Sequence, residues 1–124
     1  MSRAKKVLIV NAELKNRISY GNLFEEFGFE VVQAKNGGEA VQIYEEDPSY
    51  DLIVVDINLP GMNGFTAAKL IRQYQMAKRP YIVGVGAPVD HNLKSSHSGI
   101  DFFVVSGQGA TSTKATLLQF PLPA

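Results

Sequence analysis

The chain has 124 residues, enough to bury one hydrophobic core and too few for two. Hydrophobic residues make up 45%, which argues against disorder, and 12 Lys and Arg balance 12 Asp and Glu, so no net charge draws the protein to nucleic acid or an anionic membrane. There is no cysteine, which excludes disulfides, thiolate metal sites and cysteine nucleophiles.

The basic start, Met1 to Lys6, is followed by only a short apolar run, Val7 to Val10. A secretory signal needs a longer apolar stretch, and no run in the chain approaches membrane-spanning length. The expectation is a soluble, cytoplasmic protein. Val7 to Val10 suits a strand covered on both faces, as in a parallel sheet. Leu14 to Phe27 reads as a helix with Leu14, Ile18, Phe24 and Phe27 on one side, closed by Gly28. Phe29 to Gln33 reads as a second strand, and Asn36-Gly37-Gly38 as a turn.

Glu39 to Glu46 predicts a short helix with Ala40, Val41 and Tyr44 facing inward, stopped before Pro48. Leu52 to Val55 is another wholly apolar strand, ending at Asp56, and Pro60 to Gly64 is loop chemistry. Thr66 reads as the cap of a helix running to about Gln75. Tyr81 to Val85 and Phe102 to Val105 are the last strands, with a weak helix over Asp90 to Ser98 between them. A short helix over Ser112 to Gln119 precedes Pro121 and Pro123. Strands alternating with helices imply a parallel α/β sheet, here in one domain over residues 1–124 with its core at about 5–119.

Such sheets place their chemistry beyond the carboxyl ends of the strands. Asp56 stands out there, a carboxylate presented by a rigid apolar strand ahead of a proline-glycine loop. On position alone, the plainer reading is a polar residue that ends the strand and caps a turn.

The run Lys6 to Glu13 with Asn16-Arg17, the stretches Phe27 to Val32 and Ala34 to Ala40, and above all Asp51 to Gly64 around Asp56 resemble the receiver domains of response regulators. Gly99 to Phe103 resembles the approach to the family's fifth strand. The resemblance runs from about Lys5 to Ser106 and is looser beyond Pro80. It implies a flavodoxin-like, doubly wound five-stranded parallel sheet in the order 2-1-3-4-5 with helices on both faces. It also implies that Asp56 matches the phospho-accepting aspartate.

The same resemblance shows what is missing. Phosphoryl transfer depends on positioning and on neutralising charge, with a divalent metal central to both. The family's acidic pair after the first strand is here Asn11 and Ala12, leaving Asp56 and the backbone carbonyl of Asn58 as residual metal ligands. Glu13 reads as a solvated residue at a helix start, where negative charge is favoured. Its inward rotation as a substitute carboxylate is the lesser reading. The family's threonine or serine after the fourth strand is Gly86, and its lysine after the fifth is Ser106, too short and uncharged to replace an ammonium. Phe103 matches an aromatic switch position and, with no threonine to couple to, reads as a static core or interface ring. Between Gly86 and Gly99 the spacing is shorter than in the family, so the fourth helix should be clipped.

These residues predict a pseudo-receiver, a non-enzymatic interaction module in two-component-type signalling, with weak or no magnesium binding and no other cofactor. Its expected partner is a kinase, a phosphotransfer protein or another receiver, a homodimer included, and neither nucleic acid nor membrane. Two rivals stand beside this reading. One is a divergent but competent receiver phosphorylated on Asp56. The other is a small-ligand sensor using the space around Asn11, Ala12 and Gly86. The remaining features carry less. Asp56 to Asn58 lacks the second carboxylate of a phosphatase-type aspartate. His91 and His97 have no third ligand near them in sequence. Gly84-Val85-Gly86 lacks the full glycine-loop fingerprint, and Arg3, Lys5 and Lys6 are too few for a nucleic-acid patch.

Overall fold

A computed structural model gives the fold, and it describes residues 5–74, 79–86 and 99–105, the side chains of 103 and 105 apart. In chain order the elements are β1 (Lys6–Val10), α1 (Leu14–Glu26), β2 (Glu30–Ala34), α2 (Gly37–Glu46), β3 (Leu52–Asp56), α3 (Gly64–Arg72), β4 (Tyr81–Gly86) and β5 (Phe102–Val105). The five strands form one parallel sheet in the order β2-β1-β3-β4-β5, as the resemblance implied. The helices expected over residues 90–98 and 112–119 lie outside the described residues.

Alternation along the strands divides the core in two. Leu8, Val10, Ile53, Val55 and Ile82 point to one face, where they meet Ala40 and Tyr44 of α2 and Ala68 and Ile71 of α3. Val7, Ile9, Leu52, Val54, Val83 and Val85 point to the other, against Phe24 of α1 and Phe29. Helices on both faces explain why β1 and β3 are apolar throughout and do not alternate with polar residues. Each fully buried Val, Leu or Ile contributes roughly 1.5–3 kcal/mol, so these strands are the fixed part of the molecule.

The helices differ in detail from the sequence expectation. Of the four apolar residues placed on one side of α1, only Phe24 is buried, whereas Leu14, Ile18 and Phe27 are 59%, 47% and 42% exposed. The face that meets the sheet is built on Gly21, Leu23 and Phe24. A β-carbon at Gly21 would touch Val31 Cγ1 at 3.5 Å, so the helix lies close to β2 along its glycine and rolls Leu14 and Ile18 outward. Gly28 does close the helix, with φ of +84°. The α2 helix begins at Gly37, earlier than expected, because Asn36 Oδ1 accepts the Glu39 N–H at 2.7 Å and caps it. Val41 is only half-buried there. Thr66 is not the cap of α3. That role belongs to Asn63, whose Oδ1 accepts the Thr66 N–H at 2.9 Å, and the helix ends at Arg72.

Far from Asp56, Arg72 fastens the late strands to α3. Its guanidinium donates to Gly99 O at 3.0 Å, Pro80 O at 2.9 Å and Asp101 Oδ2 at 2.8 Å. Asp101 Oδ2 also accepts the Ile82 N–H at 2.9 Å, and its Oδ1 accepts from Arg79 Nη2 at 2.9 Å. One ion-pair cluster therefore ties the starts of β4 and β5 to the end of α3.

The loop after β3 is held as tightly. Gly64 N–H donates to Ile57 O at 2.9 Å, and a β-carbon at Gly64 would lie 2.5 Å from Asp56 O and 2.8 Å from Ile57 Cα. Because that obstacle is backbone, a Gly64→Ala variant should lose about 1–3 kcal/mol of stability. A urea titration measures the loss, and the amides of Asp56 and Ile57 should shift in the same variant.

Candidate functional site

Parallel pairing brings the strand ends together. β1 and β3 align Val10 with Val55, so Asn11 and Asp56 are the next residues on adjacent strands. β3 and β4 align Asp56 with Val85, and Gly86 follows at the buried end of β4. Backbone bonds continue the alignment past the strands, from Asn11 N–H to Ala34 O at 3.0 Å and from Ile57 N–H to Val85 O at 2.9 Å. Asn11, Ala12, Asp56, Asn58 and Gly86 thus share the carboxyl edge of the sheet. Phe103 lies within β5 opposite Gly84. Its ring, Ser106, His91 and His97 lie outside the described residues.

Asn11 is 6% exposed. Its Oδ1 accepts the Glu13 N–H at 2.9 Å, and its backbone carbonyl accepts from Arg17 Nη1 at 2.7 Å. A main-chain N–H can only donate, so the oxygen is the fixed end of the carboxamide and the NH2 is the free end. Among the described residues nothing accepts from that NH2. None of their fully buried side-chain N or O atoms lacks a partner, so the NH2 reaches the surface. Ala12 is exposed and offers only a methyl group.

Asp56 is half-buried, and its Oδ1 accepts the Asn58 N–H at 3.0 Å in a local side-chain turn. Among the described residues no donor reaches its second oxygen. Burial holds the Asp56 carboxyl above the usual carboxylate range, the Asn58 N–H offsets this in part, and the charge of Glu13 raises it further. Glu13 is itself exposed, in the N-cap position of α1, with Oε2 accepting from Asn16 Nδ2 at 3.4 Å. It bears on Asp56 through charge and makes no hydrogen bond to it. No group of three His, Cys, Asp or Glu side chains among the described residues could hold a metal ion.

Two features that matter here had no role assigned from the sequence, the contact of Arg17 and the orientation of the Asn11 amide. Arg17, one turn into α1, reaches back to the end of β1 and is steadied by Gln33 Oε1 at 3.2 Å. A basic residue in the first turn after a strand was the available signal. The orientation of the Asn11 amide had no sequence signal, because it depends on the path of the backbone at Glu13.

Comparison with known proteins points to one family. Residues 7–105 match the family described as response regulator receiver domain. The chain is 40% identical over 103 residues to the Bacillus subtilis chemotaxis protein CheY, covering 82% of this chain and 85% of that protein. It is 37% identical over 89 residues to the Escherichia coli aerobic respiration control protein ArcA, covering 70% of this chain but only 36% of ArcA. The chain therefore spans about a third of that longer relative. Among solved structures, the co-crystal of the Saccharomyces cerevisiae histidine phosphotransfer protein Ypd1 with the receiver domain of Ssk1 superposes with a TM-score of 0.77. The identity is 26%, over 94% of this chain and 88% of that one.

The raised Asp56 carboxyl has a consequence for stability. Folding favours its protonated form, so the ionised group costs stability once pH rises above the ordinary carboxylate value of 3.8 and through the raised folded value. Asn at this position keeps an oxygen for the Asn58 N–H and carries no charge. Asp56→Asn should therefore melt above the wild type at pH 7, with the gain shrinking as pH falls toward 4. Thermal melts across that range check both the sign and the direction.

Proposed function

The chain belongs to the response regulator receiver domains, and we propose that it is a pseudo-receiver, one that signals by binding other proteins without conventional magnesium-dependent phosphorylation of Asp56. Receiver domains are signalling modules that work with kinases and phosphotransfer proteins. The observation that carries the finer reading is the orientation of Asn11. Magnesium takes oxygen ligands in near-octahedral geometry. The residues present do not fit it, because Asn11 turns its NH2 outward, Ala12 has no ligand atom, and one oxygen of Asp56 is engaged by Asn58. Gly86, buried at the end of β4, brings no hydroxyl to meet a phosphoryl group. Without a bound cation, phosphoryl transfer to Asp56 would lack the charge neutralisation on which it depends.

Binding to a protein partner is supported by Leu14 and Ile18, one helical turn apart and 59% and 47% exposed beside the site. Two large apolar side chains one turn apart give a partner a small exposed apolar pair to cover. The Ssk1 receiver is bound by a histidine phosphotransfer protein, and a partner of that class, a kinase or a second receiver suits the same face. No helix among the described residues is long and apolar enough to cross a membrane.

Titration with magnesium and beryllofluoride, a phosphoryl mimic, tests the reading by backbone amide NMR. The amides of Asn58 and Gly86 should stay unmoved at millimolar metal. Saturable shifts there, absent from Asp56→Asn, would replace this reading with that of a competent receiver. A Leu14→Glu, Ile18→Glu double variant should keep its unfolding free energy within about 0.5 kcal/mol, since both residues are exposed. The same variant should lose its binding to a phosphotransfer protein that the wild type retains on a column.

A further inference from the structure

Asn11 and Asp56 are each held at one end and free at the other. Asn11 is 6% exposed as a residue, with its oxygen tied to Glu13 N–H and its NH2 without an acceptor among the described residues. Asp56 has one oxygen tied to Asn58 N–H and the second without a donor among them. Register places the two side by side on adjacent strands, about 4.8 Å apart as backbones. Backbone register thus brings a residue with a free donor and one with a free acceptor to neighbouring positions.

That pairing is selective. A cation wants acceptors on both sides and meets an NH2. An anion wants donors on both sides and meets a carboxylate. A group with one acceptor and one donor pointing the same way satisfies both. A trans peptide bond fails this requirement, because its C=O and N–H point in opposite directions. A primary carboxamide meets it, because one N–H of its NH2 lies on the same side as its oxygen. We propose that Asn11 and Asp56 form a site for the side-chain carboxamide of an Asn or Gln presented by a protein partner, with Asn11 Nδ2 donating to its oxygen and the free Asp56 oxygen accepting its N–H. Ala12 and Gly86 carry nothing that would obstruct the approach. The inference rests on the pseudo-receiver reading, since a bound metal would take the same Asp56 oxygen.

Two substitutions change only the free ends, because each leaves an oxygen for the existing backbone N–H. Asn11→Asp makes the pair acceptor and acceptor, a cation site. Asp56→Asn makes it donor and donor, an anion site. The test is NMR titration of the whole chain with acetamide, with N-methylacetamide as the trans-amide control, and with magnesium and inorganic phosphate. In the wild type, acetamide should shift the Asn11 side-chain NH2 and the Asn58 amide saturably, and N-methylacetamide should give only a linear drift. Each variant should bind acetamide roughly fivefold more weakly, the loss expected for one hydrogen bond. Asn11→Asp should gain a response to magnesium and Asp56→Asn one to phosphate, with circular dichroism confirming that both are folded. Indistinguishable responses to the two amides, or variants that bind acetamide as the wild type does, overturn the proposal while leaving the pseudo-receiver reading in place. A wild-type response to magnesium overturns that reading instead.

Discussion

The constraint on which the rest depends is the parallel register of β1 with β3. It is set by the shape of the packing, because a slip of one residue in either strand would exchange Leu8 and Val10, or Ile53 and Val55, for equally apolar neighbours of different shape against α2 and α3. That same register decides what stands at the carboxyl edge. With Val10 opposite Val55, residues 11 and 56 become neighbours whatever their chemistry. The core therefore positions the site without regard to whether the site works. Substituting side chains at the edge alters function at little cost to the fold.

This separation explains which parts were legible in the sequence. The strands were readable because runs such as Val7 to Val10 and Leu52 to Val55 are apolar on both faces, which a doubly covered sheet demands. The buried face of α1 differs from the expected one because helical spacing weighs large side chains, whereas the helix meets the sheet along Gly21, Leu23 and Phe24. The cap of α3 was misplaced for a related reason. Thr66 and Asn63 are both good capping residues, and the choice between them is made by Gly64, which must pass within contact of Asp56 O. That clearance is a tertiary fact with no local trace. The Arg72–Asp101 pair was invisible in the same way, since its partners are 29 residues apart.

The candidate site was legible in its membership and not in its orientation. The resemblance named Asn11, Ala12, Asp56, Asn58 and Gly86, and the strands bring them to one edge. What the residue names left open is which way the Asn11 amide points. An Asn with its oxygen outward is a weak metal ligand, whereas one with its NH2 outward repels a metal. The Glu13 N–H resolves this, and Arg17, by holding the Asn11 carbonyl, keeps the turn in the conformation where it does so. Which end of the Asn11 amide faces outward is thus a property of the backbone turn as much as of the side chain.

The remaining puzzle is the charge of Asp56. Its plainest role is to cap the turn by accepting the Asn58 N–H. An uncharged Asn would fill that role equally well, since Asx turns accept either residue. It would also avoid the cost of holding a carboxylate half-buried beside Glu13. The turn therefore accounts for an oxygen at position 56 and not for a charge. Nothing among the described residues uses the second oxygen, so their packing accounts for only one of the two. An acceptor of that kind, carried by a rigid strand, is what the proposed carboxamide site would use, and the acetamide titration decides whether it does.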